Sequence, residues 1–347
     1  MSISLSDVSR RFGSSSAVDS LSAEVPQGCF FSVLGPSGCG KSTLLRMIAG
    51  LEPLDAGHIA LEGRAVAGPG LHIPPEARGV GVVFQSYALW PHMDVLDNVA
   101  FPLESAGTQR AEARTKARTH LESVALADFA HRRPADLSGG QRQRVALARC
   151  LAAQARIVLM DEPLANLDPH LRAAMEEEMA AFHNRAGATT LFITHDQREA
   201  MALSDLVAVM RAGRFEQIAT PQDLYDRPAN AYVAGFVGEG CLVPVQVLGV
   251  EAGAALLRLP DGQEITARAT GSARMGTGQV LLRPSDVVAD PSGQTGRVRS
   301  AVFRGRFWDV RIELPGLPEP LRLSLPHRVS AGDQVPVRAT GGWLLPG

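Results

Sequence analysis

A glycine-rich segment near the start of the chain carries the residue types that hold phosphate groups. It reads Gly35-Pro36-Ser37-Gly38-Cys39-Gly40-Lys41-Ser42-Thr43, which matches the pattern G-x-x-x-x-G-K-[ST]. Glycines let backbone N–H groups wrap around phosphate oxygens, the lysine neutralises β- and γ-phosphate charge, and the serine hydroxyl suits Mg²⁺. An apolar run precedes the segment and a helical pattern follows it. The segment therefore predicts a phosphate-binding loop for a nucleotide.

Polar side chains end three other short apolar runs. The runs are residues 81–84, 157–160 and 191–194. Gln85 follows the first run, Asp161 and Glu162 follow the second, and His195 follows the third. Because the carboxyl ends of parallel strands meet at one edge of a sheet, we expect these side chains to face the phosphate loop.

The chemistry of these four side chains suits nucleotide hydrolysis. Asp161 suits indirect coordination of Mg²⁺, and Glu162 suits general-base activation of the attacking water. A neutral His195 imidazole can contact the γ-phosphate and orient that water, and the Gln85 amide can reach Mg²⁺ or the water. The alternative is that the two acids begin a surface loop and that the glutamine is simply solvated. The phosphate loop favours the first interpretation.

A second glycine-rich segment reads Leu137-Ser138-Gly139-Gly140-Gln141. A helical pattern continues directly from Gln141, so the serine and the glycines would expose amide donors at the positive end of a helix. This predicts a second anion site in a chain that already has one phosphate loop. A flexible serine–glycine loop is the alternative, and the helix that follows at once disfavours it.

An α/β framework is needed to position these segments. Up to about residue 236, near-continuous apolar runs alternate with helical patterns, which is typical of a parallel sheet covered on both faces. Residues 95–153 have a helical pattern with few strand-like runs, so we expect a helical subdomain there. After about residue 240, short alternating runs between Gly, Pro and Asp turns predict a small barrel. The expected domain limits are 1–236 and 241–347.

Composition excludes several classes of protein. The chain has 347 residues and a formal net charge of −2, so it offers no general basic surface for nucleic acid. Its first residues lack the basic and apolar regions of a secretory signal, and no stretch approaches the roughly 18 apolar residues of a membrane-spanning helix. The four cysteines are scattered, which disfavours a zinc site and fits a reducing cytoplasm.

Together and in this order, the motifs resemble those of the ATP-binding cassette (ABC) family, and the chain looks like the ATPase subunit of an importer. In this resemblance the Walker A motif is residues 35–43, Walker B is 157–162, the Q-loop residue is Gln85, the signature is 137–141 and the switch histidine is His195. The resemblance implies a P-loop NTPase cassette, with a RecA-like core and a helical subdomain, followed by an all-β OB-like (TOBE) domain. The TOBE resemblance includes the stretch Leu282-Arg283-Pro284-Ser285-Asp286.

The resemblance also implies how ATP and Mg²⁺ are held. Phe12 is in the position where the family stacks an aromatic ring on adenine. Ser138, Gly139, Gly140 and Gln141 of one subunit would close on the ATP held by another, in a head-to-tail homodimer. Asp168 lies in the loop that joins the two sites of such a dimer.

The implied partners are integral-membrane permease subunits and, indirectly, a periplasmic or extracellular solute-binding protein. Residues 86–93, which include Tyr87 and Trp90, resemble the region that touches a permease, and exposed aromatic side chains fit such an interface. Without the resemblance, Tyr87 and Trp90 would be interpreted as ordinary half-buried residues. The expected location is the cytoplasmic face of the inner membrane. Iron(III) or a polyamine is the expected cargo, while sugar, glycerol phosphate, sulfate and phosphonate stay open.

Two other functions compete with import. A soluble ABC ATPase acting on DNA or ribosomes usually has two cassettes or a coiled-coil insert, whereas this chain has one cassette and no heptad run. A regulatory module with a vestigial ATP site would not need Lys41, Asp161, Glu162 and His195, and all four are present. Both alternatives are disfavoured.

Overall fold

The computed structural model of the chain describes residues 1–165, 169–317 and 319–346. The chain divides into two compact units, Met1–Pro221 and Gln222–Gly347. The phosphate loop and the strand-end residues lie in the first unit, and the β-rich tail lies in the second. The domain limits expected from the sequence, 1–236 and 241–347, stay a prediction.

The described part of the first unit has two sheets and six α-helices. Its strands are β1 (Ile3–Phe12), β2 (Ser15–Val25), β3 (Phe30–Leu34), β4 (Ala56–Leu61), β5 (Arg64–Gly68), β6 (Leu71–His72), β7 (Val80–Val83), β8 (Ile157–Asp161), β9 (Thr189–Thr194), β10 (Leu206–Arg211) and β11 (Arg214–Ala219). Its helices are α1 (Lys41–Ala49), α2 (Val95–Ser105), α3 (Arg110–Ser123), α4 (Gly139–Ala152), α5 (Pro169–Ala186) and α6 (Gln197–Leu203).

The larger sheet has six strands in the order β11-β10-β3-β9-β8-β7. From β10 to β7 every neighbouring pair is parallel. Strands β3, β8 and β9 are buried at every position, as expected of strands covered on both faces. The α/β class predicted from the sequence is confirmed.

The smaller sheet is antiparallel, with the order β2-β1-β4-β5-β6, and the sequence-based prediction did not include it. Strand β1 has register shifts against β2 between Leu5 and Val8 and again between Val8 and Arg10. Such irregularities break the alternation of apolar and polar residues that identifies a strand. This sheet matters for the site because β1 ends at Phe12.

The helical region between β7 and β8 has its own apolar core, formed by residues of α2, α3 and α4. Helix α3 contributes only Ala113, Ala117 and Leu121, a narrow stripe at four-residue spacing on an otherwise polar helix. Among the helices of the described residues, none combines the length and the apolar composition needed to cross a membrane.

The second unit is mainly β-structure. Its helices are α7 (Pro221–Asp226), which spans the division between the units, and α8 (Ala231–Phe236). Its strands are β12 (Cys241–Glu251), β13 (Ala254–Arg258), β14 (Glu264–Arg268), β15 (Gly276–Leu282), β16 (Val287–Phe303), β17 (Trp308–Glu313), β18 (Leu321–Leu325), β19 (Gln334–Ala339) and β20 (Trp343–Leu344). Strands β12, β13, β14, β20 and β15 close into a barrel, and β18-β17-β16-β19 form a four-stranded sheet. The predicted all-β tail is confirmed.

Arg283, in the predicted TOBE stretch, ties the short helices of this unit to the barrel. Its buried guanidinium donates to the carbonyl oxygens of Tyr225 at 2.9 Å, Glu239 at 3.2 Å and Ala234 at 3.4 Å. It also lies 4.3 Å from the centroid of the Tyr225 ring. Charged donors make strong hydrogen bonds to carbonyl groups, so Arg283 stabilises the packing of these short helices against the barrel.

Candidate functional site

Four adjacent parallel strands bring the predicted site residues to one edge of the larger sheet. Strand β3 leads into the phosphate loop, β9 to His195, β8 to Asp161 and Glu162, and β7 to Gln85. In the sheet these strands lie in the order β3-β9-β8-β7. The row follows from parallel pairing, because parallel strands all point their carboxyl ends the same way.

The phosphate loop joins β3 to α1 in a conformation that requires its last glycine. Gly40 has a φ of 109°, and a Cβ atom there would lie 2.0 Å from the carbonyl oxygen of Ala17. Lys41 is buried, and its Nζ donates to the carbonyl oxygens of Gly35 at 2.8 Å and Pro36 at 3.1 Å. The loop backbone therefore holds the lysine ammonium at the start of α1.

Ser42 and Asp161 meet at the same place. The Ser42 hydroxyl donates to Asp161 Oδ1 at 2.9 Å. Burial raises the pKa of Asp161, and the hydrogen bond from Ser42 opposes that rise. A hydroxyl and a carboxylate this close form an all-oxygen donor set, which is the kind that Mg²⁺ prefers. The residues present fit a magnesium ion.

Glu162 and His195 form the second pair of the site. His195 Nδ1 lies 3.3 Å from Glu162 Oε2, and the side chains are 53% and 22% exposed. The Glu162 backbone has a φ of 46°, and its N–H donates to the Ile193 carbonyl at 3.0 Å. A hydrogen bond to the backbone of β9 thus holds Glu162 in a left-handed conformation at the end of β8. A carboxylate and an imidazole at this distance can both hydrogen-bond to one water molecule and take part in its deprotonation.

A buried polar network holds the residues on either side of His195, and sequence reasoning missed it. Thr194 Oγ1 donates to Glu199 Oε2 at 2.5 Å and accepts from the Asp196 N–H at 2.9 Å. Arg172 of α5 bridges Glu199 at 3.6 Å and Asp196 at 3.3 Å. Buried carboxylates are usually paired, but the partner here lies on another helix. No local pattern of the sequence identifies such a pair.

Gln85 is exposed directly after β7, whereas the aromatic residues that follow it are not. The expectation of exposed aromatic side chains is wrong for Tyr87, which is 5% exposed and belongs to the core between the sheet and α4. Trp90 is half-buried, with its ring centroid 4.5 Å from that of Phe101. The backbone of Tyr87 is in the left-handed region, with a φ of 63°, and its side chain packs in the core.

Arg149 of α4 stabilises this turn, and sequence reasoning missed it as well. Its buried guanidinium donates to the carbonyl oxygens of Ala88 at 2.8 Å and Tyr87 at 3.1 Å, and lies 4.9 Å from the Trp90 ring centroid. Both Tyr87 and Ala88 are in the left-handed region, with φ of 63° and 45°. That conformation is costly for residues with a side chain, and the charged hydrogen bonds offset the cost. Helix α4, which is capped by Ser138, therefore also holds the loop after β7.

The predicted signature segment is the capped start of α4. Ser138 Oγ accepts from the Gln141 N–H at 3.3 Å, and Gln141 Oε1 accepts from the Ser138 N–H at 2.9 Å. This reciprocal cap satisfies two backbone donors and leaves the N–H groups of Gly139 and Gly140 at the helix end. Within residues 1–165 and 169–317, no hydrogen bond joins this segment to the phosphate loop.

One predicted ATP contact, Phe12, lies apart from the strand row. Phe12 ends β1 and is 48% exposed, an unusual exposure for a residue that composition alone would place in the core. Asp168 lies outside the described residues.

Cys39 provides a chemical test of the loop. All four cysteines are buried, and burial raises the pKa of Cys29, Cys150 and Cys241 to about 11. Burial also raises the pKa of Cys39, but Lys41 opposes that rise. Because the thiolate is the nucleophile, we expect Cys39 to react first with iodoacetamide, and the adduct to abolish ATP binding. Peptide mass spectrometry and ATP titration of the same samples measure both.

The Cys39→Ala variant is the control, since it should keep its ATP binding through the same treatment. Full labelling of Cys39 with unchanged ATP affinity would show that this segment does not surround the phosphates.

Comparison with known proteins agrees with this geometry. Residues 18–165 match the ABC transporter family, and residues 280–345 match the TOBE domain. The chain is 42% identical over 315 residues to the Fe(3+) ions import ATP-binding protein FbpC of Rhizobium etli, covering 90% of this chain and 87% of that protein. It is 42% identical over 351 residues to the spermidine/putrescine import ATP-binding protein PotA of Methylococcus capsulatus, covering 97% and 90%.

A solved structure is similar to part of this chain. It is the ATP-binding cassette MJ0796, a dimer in a post-hydrolysis state bound to ADP and Pi. The TM-score is 0.56 with 29% identity, covering 63% of this chain and 98% of that one. The chain belongs to the ATP-binding cassette family, as one of its ATP-binding and ATP-hydrolysing transporter subunits.

Proposed function

We propose that this chain is the ATP-hydrolysing subunit of an importer, and that its ATP site is the row of strand ends at β3, β9, β8 and β7. The observation that carries the proposal is the pairing of Ser42 with Asp161 at 2.9 Å and of Glu162 with His195 at 3.3 Å. A vestigial site would not need two such pairs beside a phosphate loop.

Each residue of the row has a role in the proposed reaction. The amides of residues 35–43 and the Lys41 ammonium bind phosphate oxygens. Ser42 and Asp161, with Gln85 at the next strand end, would hold Mg²⁺, which neutralises phosphate charge when bound. Glu162 takes the proton of the attacking water, and His195 orients that water and the carboxylate.

The second half of each ATP site comes from a second copy of the chain. The free N–H groups of residues 139–140 lie at the positive end of α4, directly after the exposed Ser138, and this suits the γ-phosphate of an ATP held by another subunit. The dimeric state of the similar cassette MJ0796 supports a dimer, and we propose that its arrangement is head-to-tail. Closure of the dimer around two ATP molecules would then drive transport.

The cargo and the partners follow from the relatives. Their roles in iron(III) and spermidine/putrescine import support one of these two solute classes as the cargo. The chain would work at the cytoplasmic face of the inner membrane, bound to permease subunits that receive solute from a binding protein. We place the ATPase domain at 1–236, its helical subdomain at about 95–153 and the TOBE domain at 241–347.

Stimulation of the ATPase tests this proposal. The chain is purified with its permease in lipid nanodiscs, and a solute-binding protein loaded with Fe³⁺ or with spermidine is added. We expect one of the two to raise the ATPase rate severalfold over the unloaded binding protein. Stimulation by a sugar- or sulfate-loaded protein instead would contradict the cargo, and stimulation by none would contradict import.

A further inference from the structure

An arginine lies against the exposed ring at the end of β1. Arg10 and Phe12 are two residues apart on β1, and their side chains lie against each other. The Arg10 guanidinium carbon is 5.0 Å from the centroid of the Phe12 ring. A cation over an aromatic face at this distance is attracted by the ring quadrupole.

Two carboxylates fix the position of this guanidinium. Arg10 Nη2 lies 2.5 Å from Glu52 Oε1, and Nη1 lies 2.6 Å from Asp55 Oδ1. The other Asp55 oxygen accepts from the Arg11 N–H at 2.6 Å, and the Asp55 N–H donates to the Ser9 carbonyl at 2.9 Å. The side chain of Arg10 and the backbone of β1 are therefore held by the same carboxylate.

The carboxylates come from the turn that follows α1, the helix that begins with Lys41. Partial burial lowers the pKa of Arg10, but the hydrogen bonds that its guanidinium donates to Asp55 and Glu52 raise the pKa above its usual value. Helix α1 and the turn after it thus connect the phosphate loop to the carboxylates that hold Arg10 beside the Phe12 ring. This connection sets the distance between the phosphate loop and the Phe12 ring.

We propose that Arg10 is a positioning residue for the base of ATP: it holds the Phe12 ring in the orientation that stacks on adenine. The inference rests on the proposed function, in which Phe12 is the adenine platform. The Arg10 guanidinium covers one side of the Phe12 ring. A purine stacks on the part of the ring that the guanidinium leaves uncovered. Arg10 itself touches neither the base nor the phosphates.

Ligands with and without a base separate this role from a general charge effect. We would measure binding of ATP by calorimetry in the full chain carrying Glu162→Gln, and binding of inorganic tripolyphosphate by competition. Arg10→Met is expected to weaken ATP binding by about three- to tenfold and to leave tripolyphosphate binding unchanged. Asp55→Asn, which loosens the guanidinium, should weaken ATP binding in the same direction by less.

Arg11→Met is the matched control, because it removes one positive charge from the next position of β1. It should leave both affinities unchanged. In a Phe12→Ala background, Arg10→Met should have no further effect on ATP binding. Thermal unfolding of each variant verifies that the fold is kept.

The outcomes are distinct. Equal weakening of ATP and tripolyphosphate by Arg10→Met would overturn the proposal, because the charge would then act on phosphate. A full effect of Arg10→Met in the Phe12→Ala background would also overturn it. If Phe12→Ala alone leaves ATP affinity unchanged, the adenine platform itself is wrong; if Phe12→Ala weakens binding and Arg10→Met does not, only the positioning role fails.

Discussion

Replacing Glu162 by glutamine is expected to lower the ATPase turnover by about 100- to 10,000-fold while ATP still binds. The amide has the shape of the carboxylate and keeps an oxygen for the His195 contact at 3.3 Å, but it does not accept the proton of the attacking water. Bound ATP therefore persists, and the ATP-bound dimer should accumulate. Phosphate release measures turnover, and light scattering with and without ATP measures dimerisation.

The matched control is Glu177→Gln, which removes the same charge from an exposed position of α5. Its turnover should equal that of the parent chain. If Glu162→Gln also turns over at the parent rate, Glu162 is not the base. If that variant instead loses ATP binding, the substitution has disturbed the loop, and the loss of turnover carries no information about proton transfer.

Replacing Ser138 by arginine is expected to abolish turnover, by at least about a hundredfold, without loss of ATP binding to the single chain. Ser138 caps α4, and its position is exposed. A long cationic side chain there blocks the N–H groups that the other subunit's ATP must reach. We therefore expect no ATP-dependent dimer from this variant. Nucleotide titration should give the parent affinity, because Lys41 and its loop are untouched.

The substitution also removes a helix cap, which costs about 1 kcal/mol, so a second variant separates the two effects. Ser138→Ala loses the cap but adds no bulk, and it should retain most of the dimer. A mixing experiment is sharper still. Chains with Ser138→Arg and chains with Lys41→Met, each monomeric alone, should associate in the presence of ATP, because each mixed pair contains one intact site. Failure to associate would contradict the head-to-tail arrangement.

The strand-end residues were predictable because their signals are local. A glycine-rich loop follows an apolar run, and two acids or a histidine follow others, so the parallel sheet and the row of side chains come from short stretches of sequence. Strands β1 and β2 were missed because bulges break their alternation. Tyr87 was predicted to be exposed because it lies in a loop. Its backbone adopts a left-handed conformation that the sequence does not reveal, and its ring packs in the core.

The residues that support the site were not predictable in the same way. Arg172 meets Glu199, Arg149 meets the backbone at Tyr87, and Arg10 meets Asp55 only in the folded chain. Arginines and acids are common on protein surfaces, and nothing local distinguishes the few that are paired. Such pairs depend on tertiary distances, so they are found from coordinates and not from motif spacing.

The hydrogen bonds from Arg149 to the carbonyl groups of Tyr87 and Ala88 couple helix α4 to the loop after β7. About three turns of helix, roughly 16 Å, separate this attachment from the cap at Ser138. In the proposed dimer, a displacement of the loop after β7 would therefore also move α4. The N–H groups at the start of α4 would move with the helix, relative to the ATP held by the other subunit.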